Sequence, residues 1–230
     1  NNLQNIFEKC NLRVKKVLSK SYIEGVTLNN QLKLDTFIKI NIDENNVKLF
    51  LFENSTLKFF QEFDFGTDVI IRDISKITSL EKFNIKTILE NLNFSEKNLE
   101  KKFIEKKFFN EKNFRKINKK LIAEIAQARI QELTEIIIHN NINFASFLKK
   151  NFPIYLVLNK KTNLKCFRDS FKFFFQKTDG LDLQFIEDHI LENYYDNANQ
   201  IVQYGWRREA VPIIQEKKSI ITRLFELIFN

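Results

Sequence analysis

The sequence predicts a mixed α/β fold, α+β in its local order, and three observations lead to that class. Three strand-like runs follow one another at 34–41, 47–53 and 57–65, with turn chemistry at Asp43 to Asn46 and at Asn54-Ser55 between them. After Gly66 the apolar period changes to the helical value, with Val69, Ile70, Ile74 and Ile77 in step. Further on, an apolar run at 154–158, a polar loop at 159–163 and a helical pattern make a strand, loop, helix unit of the kind that often holds a phosphate.

Taken in order, residues 2–9 read as the end of a helix, and Leu12, Val14 and, after a slip, Val17 as a strand. A helix-and-turn segment at 19–30 precedes the three strands, which form a β-meander. Helical pattern then continues, with Lys-rich interruptions, to about residue 110. A long helix is expected from about 111 to 139, its apolar face made by Leu121, Ile122, Ile125, Ala126, Leu133, Ile136 and Ile137. The run at 154–158 reads as a buried strand, followed by a helix with Leu164, Phe167, Phe171 and Phe174 on one face. A short strand at 183–186 and a helix from about 197 to 206 complete the folded part, with no internal repeat and no low-complexity linker.

The last twelve residues, 219–230, separate cleanly into two faces. On a helix, Ile220, Ile221, Leu224, Phe225, Leu227, Ile228 and Phe229 fill an arc of roughly 200°, while Thr222, Arg223, Glu226 and Asn230 share the rest. Ser219 is placed to cap the free amides. Pro212 and the polar residues 215–218 detach the segment from what precedes it. Such a short helix is marginal alone in water and needs a surface to fold against. Three surfaces stay open: the protein's own core, the groove of a partner, or a membrane interface. About 18 Å of helix falls far short of the roughly 30 Å hydrocarbon core, so on a membrane it would lie in plane. Lys217, Lys218 and Arg223 would then meet anionic headgroups.

The 230 residues, 43% apolar, suffice for a real core. Twenty-five Phe with abundant Asn, Lys and Ile reflect an AT-rich composition, so Phe counts are not evidence of stacking platforms. The same bias inflates Lys, and the net charge of +8 is compatible with nucleic acid or an anionic membrane surface. Cys10 and Cys166 stand far apart without metal-ligand spacing and are expected to stay reduced. His139 and His189 have no carboxylate or cysteine at ligand distance in sequence, and no nucleophile elbow, P-loop or paired-carboxylate site is present. No run of 18 apolar residues and no signal-peptide shape occur, which reads as a chain at most peripheral to a membrane. A start at Asn1 and the lack of any Met read as a piece of a longer protein.

In this order the elements resemble the second half of an actin-like ATPase, and in detail the FtsA family of cell-division proteins. Glu8 to Val14 through Ser21-Tyr22-Ile23-Glu24-Gly25 is similar to the family's "cGL-V…l-P-A-G" stretch. Residues 37–52 align without a gap on its hydrophobic strand, "DIGGGTTD" turn and second strand. Phe65 to Asp68 through Asp73-Ile74-Ser75 resembles "GGDH…DIA", Ala128 to Leu133 resembles "AR-EEI", and 154–163 sits where "GVVLTGGGA" would be. The family also ends in an amphipathic membrane helix, the place that 219–230 occupies here.

The resemblance implies an actin/Hsp70-like fold with these parts: 1–28 re-entering a first domain, 29–79 and 121–206 forming the second, 80–120 a helical basic subdomain, 207–218 a linker, and 219–230 the membrane helix. It also implies ATP and Mg as cofactors where the family activity is retained. The phosphate turns depart from the pattern. The first is Asp43-Glu44-Asn45, which sets carboxylates where glycine amides would wrap phosphate, with no lysine evident nearby to offset them. Its flanking acids have become Asn41 and Lys48, and the second turn is Asn159-Lys160-Lys161-Thr162. Lost ATP hydrolysis and no bound cofactor are therefore expected. The implied partners are the tail of an FtsZ-like tubulin homologue, an anionic membrane surface and further copies of the chain. No nucleic acid is expected. Lys112, Arg115, Lys116, Lys119 and Lys120 are candidates to line a groove for the acidic tail, or else a solvated basic face. The implied location is the cytoplasmic face of the bacterial inner membrane at the division septum. The alternatives are an active ATPase of this fold, a related pilus or secretion assembly adaptor, or a plain nucleic-acid binder, the last marked by steep salt dependence.

Overall fold

The computed structural model describes residues 2–14, 17–94, 97–109, 114–148, 150, 152–158, 164–176, 183–186 and 194–203. The expected β-meander is present. β1 (Phe37–Ile42), β2 (Val47–Glu53) and β3 (Thr56–Phe63) are joined by tight turns, β1 and β2 pairing antiparallel from Phe37 opposite Phe52 to Ile42 opposite Val47. Asn54 and Ser55 both take positive φ, 53° and 59°, the two-residue turn that matches strand twist. β4 (Ile154–Leu158) lies parallel to β1, and β5 (Leu183–Ile186) parallel to β4, so the sheet runs β3-β2-β1-β4-β5.

Both faces of the sheet are covered, which explains why β4 reads as an unbroken apolar run, whereas β1 alternates Ile38, Ile40 and Ile42 with Lys39 and Asn41. Ile38, Ile40 and Ile42 of β1 point into the larger core. There they join α3 (Asp68–Thr78), α5 (Lys119–Thr134) and α7 (Lys165–Phe175) through Ile70, Ile74, Ile122, Ile130, Phe167 and Phe171. The opposite face sets Phe37, Phe50, Phe52, Tyr155 and Val157 against Tyr22 and Leu28 of α2 (Lys20–Leu32). Gly25 is required here because an added Cβ would lie 1.9 Å from the Phe52 ring. α1 (Asn2–Lys9), α4 (Lys82–Glu90), the single turn α6 (Ala145–Leu148) and α8 (Tyr194–Gln203) complete the elements. Asn197 of α8 donates to the Thr27 hydroxyl of α2 at 2.8 Å. Leu80, Ile85, Ile88, Leu89, Leu99, Ile104 and Ile117 belong to the same larger core as the sheet.

Several expectations need correction. The strand expected through Leu12, Val14 and Val17 is irregular chain in its described residues, with Leu12 57% and Val17 77% exposed. A strand needs a neighbour to complete its ladder, and none of the described strands lies beside it. The helical pattern expected to about 110 resolves into α4 and two 3-10 turns, with Asn98 left-handed at φ 67° between them. The long helix begins at Lys119, not near 111, because Asn118 accepts the Leu121 amide at 2.9 Å and caps it. It passes into a π-helical turn, Glu135–His139, which rotates the pattern. Ile137 and Ile138 are therefore both buried and Ile136 faces outward; Leu121, in the first turn of α5 and ahead of the π-turn, is exposed as well. On α3 it is Ile71 that is buried while Ile77 is exposed, and on α7 Phe175 is buried while Phe174 is only half-buried.

Candidate functional site

The turn between β1 and β2 is closed by Asp43 N–H donating to the Asn46 carbonyl at 2.9 Å. None of its four residues takes positive φ, so side chains are tolerated where the family pattern has glycine. The carbonyls of Asp43 and Glu44 accept the amides of Thr67 and Asp68 at 3.0 and 2.8 Å, fastening the turn to the start of α3. Gly66 permits that approach: an added Cβ would lie 2.2 Å from the Asp43 oxygen and 2.6 Å from the Glu44 carbonyl carbon.

Charges around the turn are answered from distant parts of the chain. Lys86 of α4 donates to Glu44 Oε1 at 2.7 Å, so the expectation that no lysine offsets these carboxylates is corrected for Glu44. The two residues are 42 positions apart, beyond what local spacing signals. Lys48 faces Glu62 across the β2-β3 pair at 3.4 Å, and Asn46 Nδ2 donates to the same carboxylate at 3.3 Å. Beneath the turn, on the α2 face, Lys39 is fully buried and ion-paired to Glu24, with its Nζ 5.5 Å from the Phe50 ring centroid. Asn41 makes a long 3.5 Å contact with Glu24. The oxygens Asn41 Oδ1, Asn46 Oδ1 and Thr67 Oγ1 are buried without a hydrogen-bond partner among the described residues. To an incoming polyphosphate this corner presents the carboxylates of Asp43 and Glu44 and the buried oxygens Asn41 Oδ1 and Asn46 Oδ1, with the Asp43 amide committed to Asn46, while the orphaned Thr67 hydroxyl is able to donate.

The second phosphate turn, with Lys160 and Lys161, lies outside the described residues, as does the whole of the C-terminal helix with Lys217, Lys218, Ile220, Ile221, Arg223, Leu224, Phe225, Leu227, Ile228 and Phe229. No helix among the described residues is long and apolar enough to cross a membrane. Among them no group of three His, Cys, Asp or Glu side chains is placed to hold a metal.

Of the five basic candidates Lys112 is outside the described residues. Arg115 and Lys116 lie on an extended segment before α5, and Lys119 and Lys120 open that helix. The segment is clamped to 102–104 by Ile104 N–H to Ile117 O at 2.9 Å and Lys119 N–H to Lys102 O at 2.7 Å. This places Lys116 Nζ 4.5 Å over the Phe103 ring and Lys106 Nζ 5.2 Å over Phe114, both rings partly exposed. Lys120 is shared with Glu124 at 3.7 Å. Sequence reasoning missed Phe103 and Phe114, because the Phe-rich composition masks aromatic interleaving. It also missed a second charged face on α7, where Lys165, Arg168 and Lys172, with Asp169 among them, line a recess of about 500 Å³ and Arg168 stacks 5.1 Å from the Phe185 ring.

The "AR-EEI"-like stretch has a structural use. Arg129 ion-pairs with Asp73 of α3 and with Glu132. Cys166 is buried and donates to the Leu89 carbonyl at 3.5 Å, and burial pushes its thiol up to about 12, whereas Cys10 is exposed. The His139 ring contacts the Phe174 carbonyl at 3.4 Å, and His189 is outside the described residues.

No protein-family model and no curated protein matches the chain. Solved structures do. MreB5 of Spiroplasma citri bound to AMPPNP is similar at 12% identity and TM-score 0.55 over 88% of this chain and 63% of that one. The archaeal actin homologue Ta0583 is similar at 14% identity and TM-score 0.52 over 80% and 55%. EutJ, an ethanolamine utilization protein of Carboxydothermus hydrogenoformans, is similar at 12% identity and TM-score 0.47 over 79% and 53%. The chain thus spans 53 to 63% of the length of these structures. The likeness is one of fold and does not single out the FtsA family. With its five-stranded mixed sheet covered by helices on both faces, the chain has the α/β fold of the actin-like ATPases.

Proposed function

We propose that the chain is a membrane-tethering adaptor of the bacterial cell-division ring that links an FtsZ-type polymer to the cytoplasmic membrane and does not hydrolyse ATP. The observation that carries the reading is the turn at Asp43 to Asn46. In an actin-like sheet this corner would receive phosphate, and here it holds two carboxylates, one of them tied to Lys86 and both backbone carbonyls tied to α3. A corner committed in this way supports a scaffold role over catalysis. The amphipathic pattern at 219–230 supplies the tether, and the basic surface around Arg115 and Lys116 the dock for an acidic tail.

Co-sedimentation of the full chain with anionic vesicles, with and without an FtsZ-type tail peptide, tests the proposal. The chain pellets with anionic vesicles and carries the peptide with it, and Mg-ATP changes neither fraction. Burying Leu224, Phe225, Ile228 and Phe229 contributes at most about 1.5 to 3 kcal/mol each, against the cost of ordering the helix, so single-chain affinity is modest. Leu224→Glu with Phe225→Glu abolishes pelleting and leaves the thermal transition of the rest unchanged. A double variant whose body unfolds instead refutes the tether, because 219–230 is then a docked core element.

A further inference from the structure

The sheet order leaves the outer edge of β3 open along eight residues, and no backbone group of the described residues pairs with it. Open edges are usually blunted, and β3 carries two such devices, the charges Lys58 and Glu62 and a bulge. The bulge falls where Phe52 faces Leu57 and Leu51 faces Phe59, so Lys58 has no partner in β2, and Lys58, Phe60 and Glu62 are the alternating exposed residues of β3. Phe60 stands among them 49% exposed, its ring 5.1 Å from Phe50.

We propose that β3 pairs antiparallel with β3 of a second copy of this chain, about a two-fold axis at Phe60, joining two five-stranded sheets into one. In an antiparallel pair, opposite residues share a face and interact. Centred on Phe60, the two-fold sets Lys58 opposite Glu62 of the second copy, Glu62 opposite its Lys58, Phe60 opposite its Phe60 and Phe59 opposite its Gln61. The charges that repel a strand of the same sign are matched by a strand of the same sequence. Displacing the register by one pair in either direction sets Phe60 against Glu62 or against Lys58, and parallel in-register pairing sets Lys58 against Lys58. One register of this strand with itself therefore satisfies both charges and both rings. Within its own chain Lys58 meets no acidic side chain among the described residues, while Glu62 already holds Lys48 at 3.4 Å and would complete a three-charge cluster. Gln61 and Phe59 are fixed on the opposite face, Gln61 by Asn141 at 3.0 Å and Phe59 by the Phe147 ring at 5.6 Å, so the strand meets its copy already shaped. A two-fold contact of this kind is closed and stops at a dimer. It is independent of lipid and of the tethering reading.

Sedimentation equilibrium of the full 230-residue chain without lipid tests it. A single strand pair is a small interface, so dimerisation is expected at about 10–100 µM. Lys58→Glu or Glu62→Lys alone turns two attractive pairs into two repulsive ones and weakens the dimer by about tenfold or more. The combined Lys58→Glu, Glu62→Lys chain regains the original affinity within about threefold. A wild-type chain that stays monomeric, an oligomer insensitive to these changes, or a double variant no tighter than the single ones overturns the proposal. Trapping gives a second reading. In a Cys10→Ser background, Phe60→Cys with diamide gives a disulfide dimer, since opposite Cα atoms about 4.5–5.5 Å apart suit the bond. Asp64→Cys does not, its two copies lying about 27 Å apart along the strands. Equal cross-linking at 60 and 64, or none at 60, also overturns it.

Discussion

Replacing Gly66 with Ala tests whether the β1-β2 turn is fastened to α3 as described. The added Cβ would sit 2.2 Å from the Asp43 oxygen and 2.6 Å from both the carbon and oxygen of the Glu44 carbonyl. These are backbone atoms, so no rotamer change relieves the overlap, and the turn and α3 must part by about 1 Å to restore normal contact. That separation stretches the Thr67-to-Asp43 and Asp68-to-Glu44 hydrogen bonds, now 3.0 and 2.8 Å, to about 4 Å, beyond any useful interaction. Two lost bonds cost about 1 kcal/mol each, and overpacking adds about 1–3 kcal/mol. The expected loss is about 3–5 kcal/mol, a large part of the roughly 5–15 kcal/mol that holds a domain together. Urea unfolding followed by circular dichroism reads it as a fall in midpoint of about 1 M or more at unchanged slope. A loss under about 0.5 kcal/mol refutes the reasoning, because the turn would then move freely of α3.

Lys39→Met removes the buried cation of Glu24 and leaves it the exposed Lys20 at 3.7 Å, at an expected cost of about 3–5 kcal/mol, while Lys39→Met with Glu24→Leu recovers most of it; equal losses in the single and double variants would contradict the pairing. Cys166, its thiol raised to about 12 by burial, stays protonated at ordinary pH. Ellman's reagent at pH 8 should therefore label only Cys10 in the native chain and both cysteines in urea, and fast labelling of two thiols in the native state would show that α7 is not packed as described. Charge reversal of Arg115, Lys116 and Lys120 together is expected to weaken binding of an acidic FtsZ-type tail peptide by more than tenfold at low salt, since exposed charges contribute about 0–1 kcal/mol singly and must be changed as a group. Unchanged affinity in a fluorescence titration places the dock elsewhere.

The five strands of the sheet were legible, unlike the one read through Leu12 to Val17: β4 is an unbroken apolar run buried on both faces, β3 alternates exposed and half-buried residues, and Asn54-Ser55 marks the turn between β2 and β3 by local chemistry alone. The start of α5 was misjudged because basic residues before Asn118 keep helical spacing while the backbone there pairs with 102–104, a contact no local pattern encodes. The face of that helix slipped for a similar reason, since one π-turn at Glu135–His139 shifts every later position. At the candidate site the substituted turn itself was readable, as loss of glycine is a local fact. Its electrostatic answer was not, because Lys86 reaches Glu44 only once α4 is folded back over α3. The buried Lys39 was hidden in the same way, for its partner lies in α2 across the sheet face.

Helix α4 gives that hidden contact its functional weight. Lys86 holds Glu44 at 2.7 Å, Lys82 holds Asp68 at the start of α3 at 3.0 Å, and Asn84 donates to the Phe108 carbonyl at 3.0 Å. One short helix thus ties the turn, the strand-to-helix corner and the segment carrying Lys106 and Lys107, and its Ile85 and Ile88 anchor it in the common core. The basic surface is consequently mounted on the same body as the turn, since Leu99, Ile104 and Ile117 share the sheet's core and no separate core is present among the described residues. If a nucleotide governed this corner, its phosphate would compete with Glu44 for Lys86 and loosen α4 from the turn. With Glu44 in place the lysine is already engaged by a group of the chain itself, so on the proposed reading the basic surface is expected to keep one arrangement with or without Mg-ATP. A fixed display of that kind suits a dock for an acidic segment better than a cycle of opening and closing.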